Sequence, residues 1–190
     1  MPDAVSMLEQ DHRKVEQLFE QYEQTGDPAV VQQICTELKV HTTIEEEVVY
    51  PVVARELPEG KELDKEARDE HKEVEDAIKQ IESIGYDAAE VDELMQTIIE
   101  GVNHHVEEEE SEMFPKLRQE LDTAKLSELG EKLAESKQAA MRTVGASGSM
   151  VEGDMTEMTK DQLYKQAQEA GIEGRSDMTK DELIEALEQQ

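Results

Sequence analysis

His41-Thr42-Thr43-Ile44-Glu45-Glu46-Glu47-Val48-Val49-Tyr50-Pro51 recurs in outline as His105-Val106-Glu107-Glu108-Glu109-Glu110-Ser111-Glu112-Met113-Phe114-Pro115. In both stretches a glutamate follows the histidine by four residues, and an aromatic-proline pair stands nine and ten residues after it. Each stretch is preceded by an acid-histidine pair, Asp11-His12 or Glu70-His71. The order His, His-x-x-x-Glu, His, His-x-x-x-Glu therefore runs through His12, His41, Glu45, His71, His105 and Glu109. Residues i and i+4 project from one helix face about 40° apart, so each His-Glu pair can reach a single centre.

Outward from these stretches, apolar residues recur at helical spacing. A first helix carries Val5, Leu8, His12, Val15, Leu18 or Phe19, and Tyr22, then stops at Thr25-Gly26-Asp27-Pro28. A second carries Ile34, Leu38, His41, Glu45, Val48 and Val52 on one seam. After Leu57-Pro58-Glu59-Gly60, a third runs through Ala67, His71, Val74, Ile78 and Ile81 to Gly85. A fourth carries Val91, Leu94, Ile98, Val102, His105, Glu109, Met113 and Leu117. Short connections make successive helices antiparallel neighbours, which predicts an all-α, up-down-up-down four-helix bundle. A fifth amphipathic helix near Ala124 to Val144, with Leu126, Leu129, Leu133 and Ala140, is expected to pack on the outside or extend away.

The predicted organisation is a bundle with its fifth helix over 1–143, a Gly/Ser-rich flexible linker over 144–157, and a small helical module over 158–190. Within the module, Met158-Thr159-Lys160-Asp161-Gln162-Leu163 recurs as Met178-Thr179-Lys180-Asp181-Glu182-Leu183. Each threonine precedes Gln162 or Glu182 by three residues, the spacing of a capping box that opens a helix. Gly171 is expected to end the first of these two helices, giving helix, extended loop, helix.

The 190 residues carry 48 acids against 19 bases, a formal charge of −29. Such a surface repels nucleic acid and anionic membranes and attracts cations. It also suits a high-salt environment, where screening relieves self-repulsion. The single cysteine, Cys35, excludes an internal disulfide and reads as a packed thiol in a reducing compartment. No apolar run approaches the roughly 18 residues of a membrane helix, and Met1-Pro2-Asp3-Ala4 lacks the basic-then-apolar pattern of a signal segment. The expectation is a soluble, cytoplasmic protein.

An ionised carboxylate in an apolar seam costs several kcal/mol without a partner. Glu45 and Glu109 therefore need either neighbours of opposite charge or metal, and because Lys and Arg are missing from the seams traced above, metal is the simpler answer. The donor set is nitrogen and oxygen without thiolate, which suits iron or manganese better than a structural zinc site. Two six-coordinate ions have about twelve positions. Four histidines, two bridging glutamates and a bridging oxo or hydroxo group leave roughly two open, where dioxygen, peroxide or nitric oxide can bind. Glu16 and Glu75, each four residues after a ligand histidine, are the alternatives that would close the cluster. His104 falls on the wetter helix face with Gly101, Glu108 and Ser111 and is set aside.

The constellation over residues 3 to 120 resembles the hemerythrin-like family, or HHE cation-binding domain. The resemblance implies a four-helix bundle with an oxo- or hydroxo-bridged centre of two iron ions, with manganese or zinc as alternatives. By position it makes His12, His41, Glu45, His71, His105 and Glu109 the ligands. It further implies binding or sensing of dioxygen, nitric oxide, peroxide or iron status under stress. Competing readings are an enzyme consuming peroxide or nitric oxide, and an acidic protein-interaction scaffold. Oxygen-carrying relatives have a second histidine where Glu75 stands, which turns the expectation away from oxygen transport. The tail from Met158 to Leu187 is similar to modules related to the N-terminal segment of Rho termination factor and to SAP-like motifs. With four bases against eight acids over 158–190, it is expected to dock a protein rather than nucleic acid.

Overall fold

The computed structural model describes residues 2–148, 178–180 and 183. Helix α1 (Ala4–Thr25) begins at Asp3, whose carboxylate accepts from the Ser6 amide. It ends at Gly26, whose φ of 60° is the left-handed conformation that glycine adopts without a Cβ penalty. Helix α2 (Pro28–Ile44) starts with Asp27 as cap and proline in its first turn, then passes through a π-helical turn at Glu45–Val49 into α3 (Tyr50–Glu56). Helix α4 covers Gly60–Ile84. Helix α5 (Val91–Glu108) repeats the second pattern, passing through a π turn at Glu109–Met113 into α6 (Phe114–Glu120). Helix α7 spans Thr123–Gly148. The four rods α1, α2–α3, α4 and α5–α6 form the expected four-helix bundle, and the described residues contain no strand.

Both π turns have a sequence cause. Pro51 and Pro115 lie inside long helices, where a proline lacks the amide donor and its ring clashes with the carbonyl four residues back. Widening the turn just ahead of each proline removes the clash. The Tyr50 amide then donates to the Glu45 carbonyl, and the Phe114 amide to that of Glu109, both five residues back. The Glu46 carbonyl, which Tyr50 would bond in a regular α-helix, instead accepts from Arg68 Nη2 at 2.9 Å. The extra residue also rotates the helix beyond it. Val49 and Val53 are fully buried, whereas Val48 and Val52, the seam expected from regular spacing, are only partly so. On the fourth rod Met95 is fully buried, and the expected Leu94 and Val102 are partly buried.

Two apolar clusters fill the bundle. One gathers Leu8, Ile44, Val49, Val53, Phe114 and Leu117, and the other Leu18, Ile34, Leu38, Ile78, Met95 and Ile98. Cys35 is buried in the second, and burial pushes its thiol up to about 12, consistent with packing rather than reactivity. No described helix is long and apolar enough to cross a membrane.

Helix α7 is docked on the bundle: Leu126, Leu129, Leu133 and Ala140 join the first cluster. It runs to Gly148, into the stretch expected as linker, and 149–157 lies outside the described residues. So do most residues of the expected tail module, including Thr159, Gln162 and Gly171. Lys180 and Leu183 are helical, and the Leu183 amide donates to the Thr179 carbonyl at 3.0 Å, as expected of a helix opening after Thr179.

A Cβ on Gly130 of α7 would lie 2.8 Å from the Pro2 carbonyl oxygen and 3.0 Å from the Ala4 nitrogen. Gly130→Ala is therefore expected to destabilise by about 1–3 kcal/mol through overpacking. Gly101→Ala, whose Cβ would meet Val74 at an ordinary 3.5 Å, should stabilise by up to about 1 kcal/mol through helix propensity. Urea midpoints of the two variants check this, and equal shifts would contradict the close approach of α7 to the start of α1.

Candidate metal centre

Between the two apolar clusters lies a polar layer to which each rod contributes: His12 from α1, His41 and Glu45 from α2–α3, His71 from α4, and His105 and Glu109 from α5–α6. All six are buried, Glu45 completely. Their donor atoms fall into two groups, His12-His41-Glu45-Glu109 and Glu45-His71-His105, each with its atoms within 4.8 Å of one another. Glu45 belongs to both. In the first group, His41 Nε2 is 3.2 Å from Glu45 Oε2, and His12 Nε2 is 3.4 Å from Glu109 Oε2. In the second, His71 Nε2 lies 3.0 Å from His105 Nε2 and 3.4 Å from Glu45 Oε2. Glu109 Oε2 is 3.7 Å from His105 Nε2.

Each histidine ring has a carboxylate behind it. Glu110 Oε1 is 2.8 Å from His12 Nδ1, Glu46 Oε1 is 3.1 Å from His71 Nδ1, and Glu70 Oε2 is 2.6 Å from His105 Nδ1. Asp11 Oδ2 approaches His41 Nδ1 at 4.0 Å. The arrangement has a twofold pattern. The acid preceding the first histidine of a hairpin supports the second histidine of that hairpin, and the acid following each buried glutamate supports a histidine of the other hairpin. At His12, His71 and His105 such carboxylates hold the proton on Nδ1 and turn the Nε2 lone pair inward, as metal-binding histidines require, while Asp11 faces His41 Nδ1 beyond hydrogen-bond distance.

The donors fit a cation. Metal bonds of about 2.0–2.2 Å put neighbouring ligand atoms about 3–3.5 Å apart, close to the separations above. With Nδ1 carrying the proton, the Nε2 atoms of His71 and His105 are two acceptors facing each other, which a shared cation relieves. Among the described residues, His12 Nε2, both ring nitrogens of His41, Glu45 Oε1 and Glu109 Oε2 are buried without a hydrogen bond. Burial and the Glu109 charge push the Glu45 carboxyl well above its ordinary range. For Glu109, burial is outweighed by His105, His12 and His41, and its carboxyl falls below that range. The carboxylate pair thus holds one negative charge against the surrounding histidines and a second only with added positive charge.

Residues 3–117 match the hemerythrin HHE cation binding domain. The chain belongs to this family. As an HHE domain it is a metal-binding helical bundle. Residues 154–190 match the N-terminal domain of Rho termination factor. Among solved structures, it shares its fold with an HHE cation binding domain-containing protein from Mycobacterium kansasii. The TM-score is 0.64 at 22% identity, over 75% of this chain and 90% of that one. A protein of Nostoc sp. named DNA nickase is 30% identical over 143 residues, 73% of this chain and 40% of that protein. The chain therefore spans about two fifths of that relative's length.

The two halves of the HHE domain's polar layer differ at the aromatic residue. Phe114 stacks on His12, with ring centroids 5.7 Å apart and an interplanar angle of 10°. Its counterpart Tyr50 packs on His71 and sends a hydroxyl into the second group. That oxygen is 3.1 Å from both His71 Nε2 and Glu109 Oε1, 3.3 Å from His105 Nε2 and 3.5 Å from Glu45 Oε2. Burial, then the charges of Glu109 and Glu45, push the phenol well above its ordinary range, so it is a neutral donor here. Sequence spacing reads Tyr50 as a packing residue near the centre, with an outer hydroxyl donor as the alternative. Neither Glu16 nor Glu75 enters either group: Glu16 is exposed, and Glu75 Oε2 is paired with Lys79 Nζ at 3.0 Å. His104 is exposed, with Glu70 and Glu108 about its ring.

Sequence reasoning missed the outer carboxylates and Arg68. Arg68 Nη1 binds Glu46 Oε2 at 2.8 Å, and the guanidinium lies 5.6 Å from the Tyr50 ring centroid, so it braces the residues that orient His71. The signal for the carboxylates was adjacency: Asp11 and Glu70 precede a histidine, and Glu46 and Glu110 follow a buried glutamate.

Proposed function

We propose that this HHE domain holds two iron ions and uses them to bind or sense a small ligand such as dioxygen, nitric oxide or peroxide. His12, His41, Glu45 and Glu109 would hold one ion, and His71, His105 and Glu45 the other, with Tyr50 within reach of the second. Two donor groups sharing Glu45, with a carboxylate behind every histidine, carry this reading. Bound iron would supply a Lewis acid for the ligand's lone pairs and a reversible source of electrons.

The chain's own residues favour a ligand at the first ion. Phe114 brings no donor to the place where Tyr50 delivers its hydroxyl, so the first group has no phenol oxygen to compete with a ligand. A cavity of about 20 Å³ touches His12, His41, His71 and His105, and so serves either ion, and its other walls are mainly Val15, Leu38, Val74, Val102 and Val106. That is room for about one water-sized molecule, and the apolar walls favour an uncharged diatomic. Sensing gains support from α7. Lys137 pairs with Asp11, the carboxylate behind His41, and Ser136 donates to Glu47 at 2.9 Å. A change at His41 thus has a polar route to the helix that precedes the Rho-like region.

Iron-loaded protein should contain about two iron per chain and show oxo-bridged ferric absorption between about 300 and 400 nm. A phenolate-to-iron band in the visible, lost in Tyr50→Phe, is expected if the hydroxyl reaches the second ion. Less than about one equivalent of any transition metal in protein purified without chelator would end the reading. Peroxide loss that disappears in Glu45→Ala would instead favour the enzyme. The Nostoc relative's name raises DNA cleavage as a second reading. The charge of −29 opposes it, because DNA affinity comes from basic groups that displace counterions. Supercoiled plasmid should stay supercoiled with the iron-loaded protein.

A further inference from the structure

The buried centre has an acidic doorway. A cleft of about 280 Å³ has Glu66, Glu70, Glu108 and Glu112 among its walls and also reaches His105 and Glu109. Glu109 is 1% exposed, and its Oε2 is one of the buried atoms without a hydrogen bond. Beside this cleft, His104 Nε2 lies 3.6 Å from Glu70 Oε1 and 3.4 Å from Glu108 Oε1. These separations are close to those of atoms on one ion with bonds of about 2.0–2.2 Å. The second oxygen of Glu70 is the one that holds His105 Nδ1 at 2.6 Å.

We propose that His104, Glu70 and Glu108 form a second, shallow site for a divalent transition-metal ion, which passes the ion through the acidic cleft to the buried centre. Mixed imidazole and carboxylate donors suit Fe(II) or Mn(II), and exposure makes the ion labile. Glu70 spans the two sites, with one oxygen facing the incoming ion and the other orienting a histidine of the centre. Desolvation is then shared between two steps: the ion first exchanges part of its water for His104 and two carboxylates, then meets Glu109 at the inner end. The hand-over rests on the buried centre being a metal site, and the experiment separates the two.

Metal-free full-length protein is mixed anaerobically with limiting Fe(II), and iron that resists a brief chelator challenge is counted against time. His104→Ala/Glu108→Gln should load about tenfold more slowly than wild type, within the range by which charged clefts accelerate cation capture. It should reach the same final iron content and, once loaded, the same melting temperature. Glu120→Gln, an exposed acid outside the cleft lining, controls for net charge and should change the rate by less than about twofold. Wild-type loading rate in the double variant, or slowing no greater than in the control, would overturn the shallow site while leaving the buried centre intact. Wild-type protein that retains no iron would overturn the centre, and the hand-over with it.

Discussion

Glu45→Gln is expected to lower metal affinity by more than about a hundredfold, beyond the 10–100-fold of an outer partner, because it alters the one side chain common to both donor groups. Gln matches the shape of the protonated acid that burial and Glu109 impose on Glu45, so the metal-free bundle should melt near the wild-type temperature. The loaded protein should differ. An ion present at a hundred times its Kd adds about 2.7 kcal/mol to folding stability. For a chain of this size that is about 5–10 °C in melting temperature. Wild type should show a gap of this order between its loaded and metal-free forms, and the variant should lose it. A preserved gap in Glu45→Gln would show that the ions do not share this carboxylate.

The second large effect is expected at a residue that touches no ion. Glu46→Gln removes the charge behind His71 Nδ1 while keeping an oxygen for Arg68. Hydrogen bonding to His71, then Arg68, holds the Glu46 carboxyl below its ordinary range, so it is an anion at neutral pH and polarises the ring. Loss of such a partner commonly lowers metal affinity by about 10–100-fold. The second group should be the one affected, leaving protein that retains about one ion per chain under conditions where wild type retains two. Titration of the metal-free variant with Fe(II) would read this directly. Equal weakening of both ions would mean that Glu46 acts through the bundle's packing rather than through His71.

The two variants differ in how visible their residues are in the sequence. His41, Glu45, His105 and Glu109 stand out because polar residues replace apolar ones at seam positions, and the repeated order singles out His12 and His71. Glu46, Glu70 and Glu110 do not stand out. With 48 acids in the chain, an acid beside a ligand looks the same as one in a solvated run until a ring nitrogen is found opposite it. Tyr50 and Phe114 are equivalent by spacing because both are aromatic before proline, although only one carries a hydroxyl into the second group.

Periodicity and the cost of burying a carboxylate are local properties of the chain, and they were enough to establish the helical class, the pairing of short-looped helices and the six inward-facing His and Glu residues. Which carboxylate backs which histidine emerged only on folding, because those contacts cross between helices and have no spacing to betray them. The same holds for the docking of α7, where a thin apolar face and Gly130 meet the start of α1. The π turns lie between the two. Their cause, a proline after an aromatic residue, is written in the chain, but the rotation that buries Val49 and Val53 arises only when the proline must fit inside a continuous, packed helix.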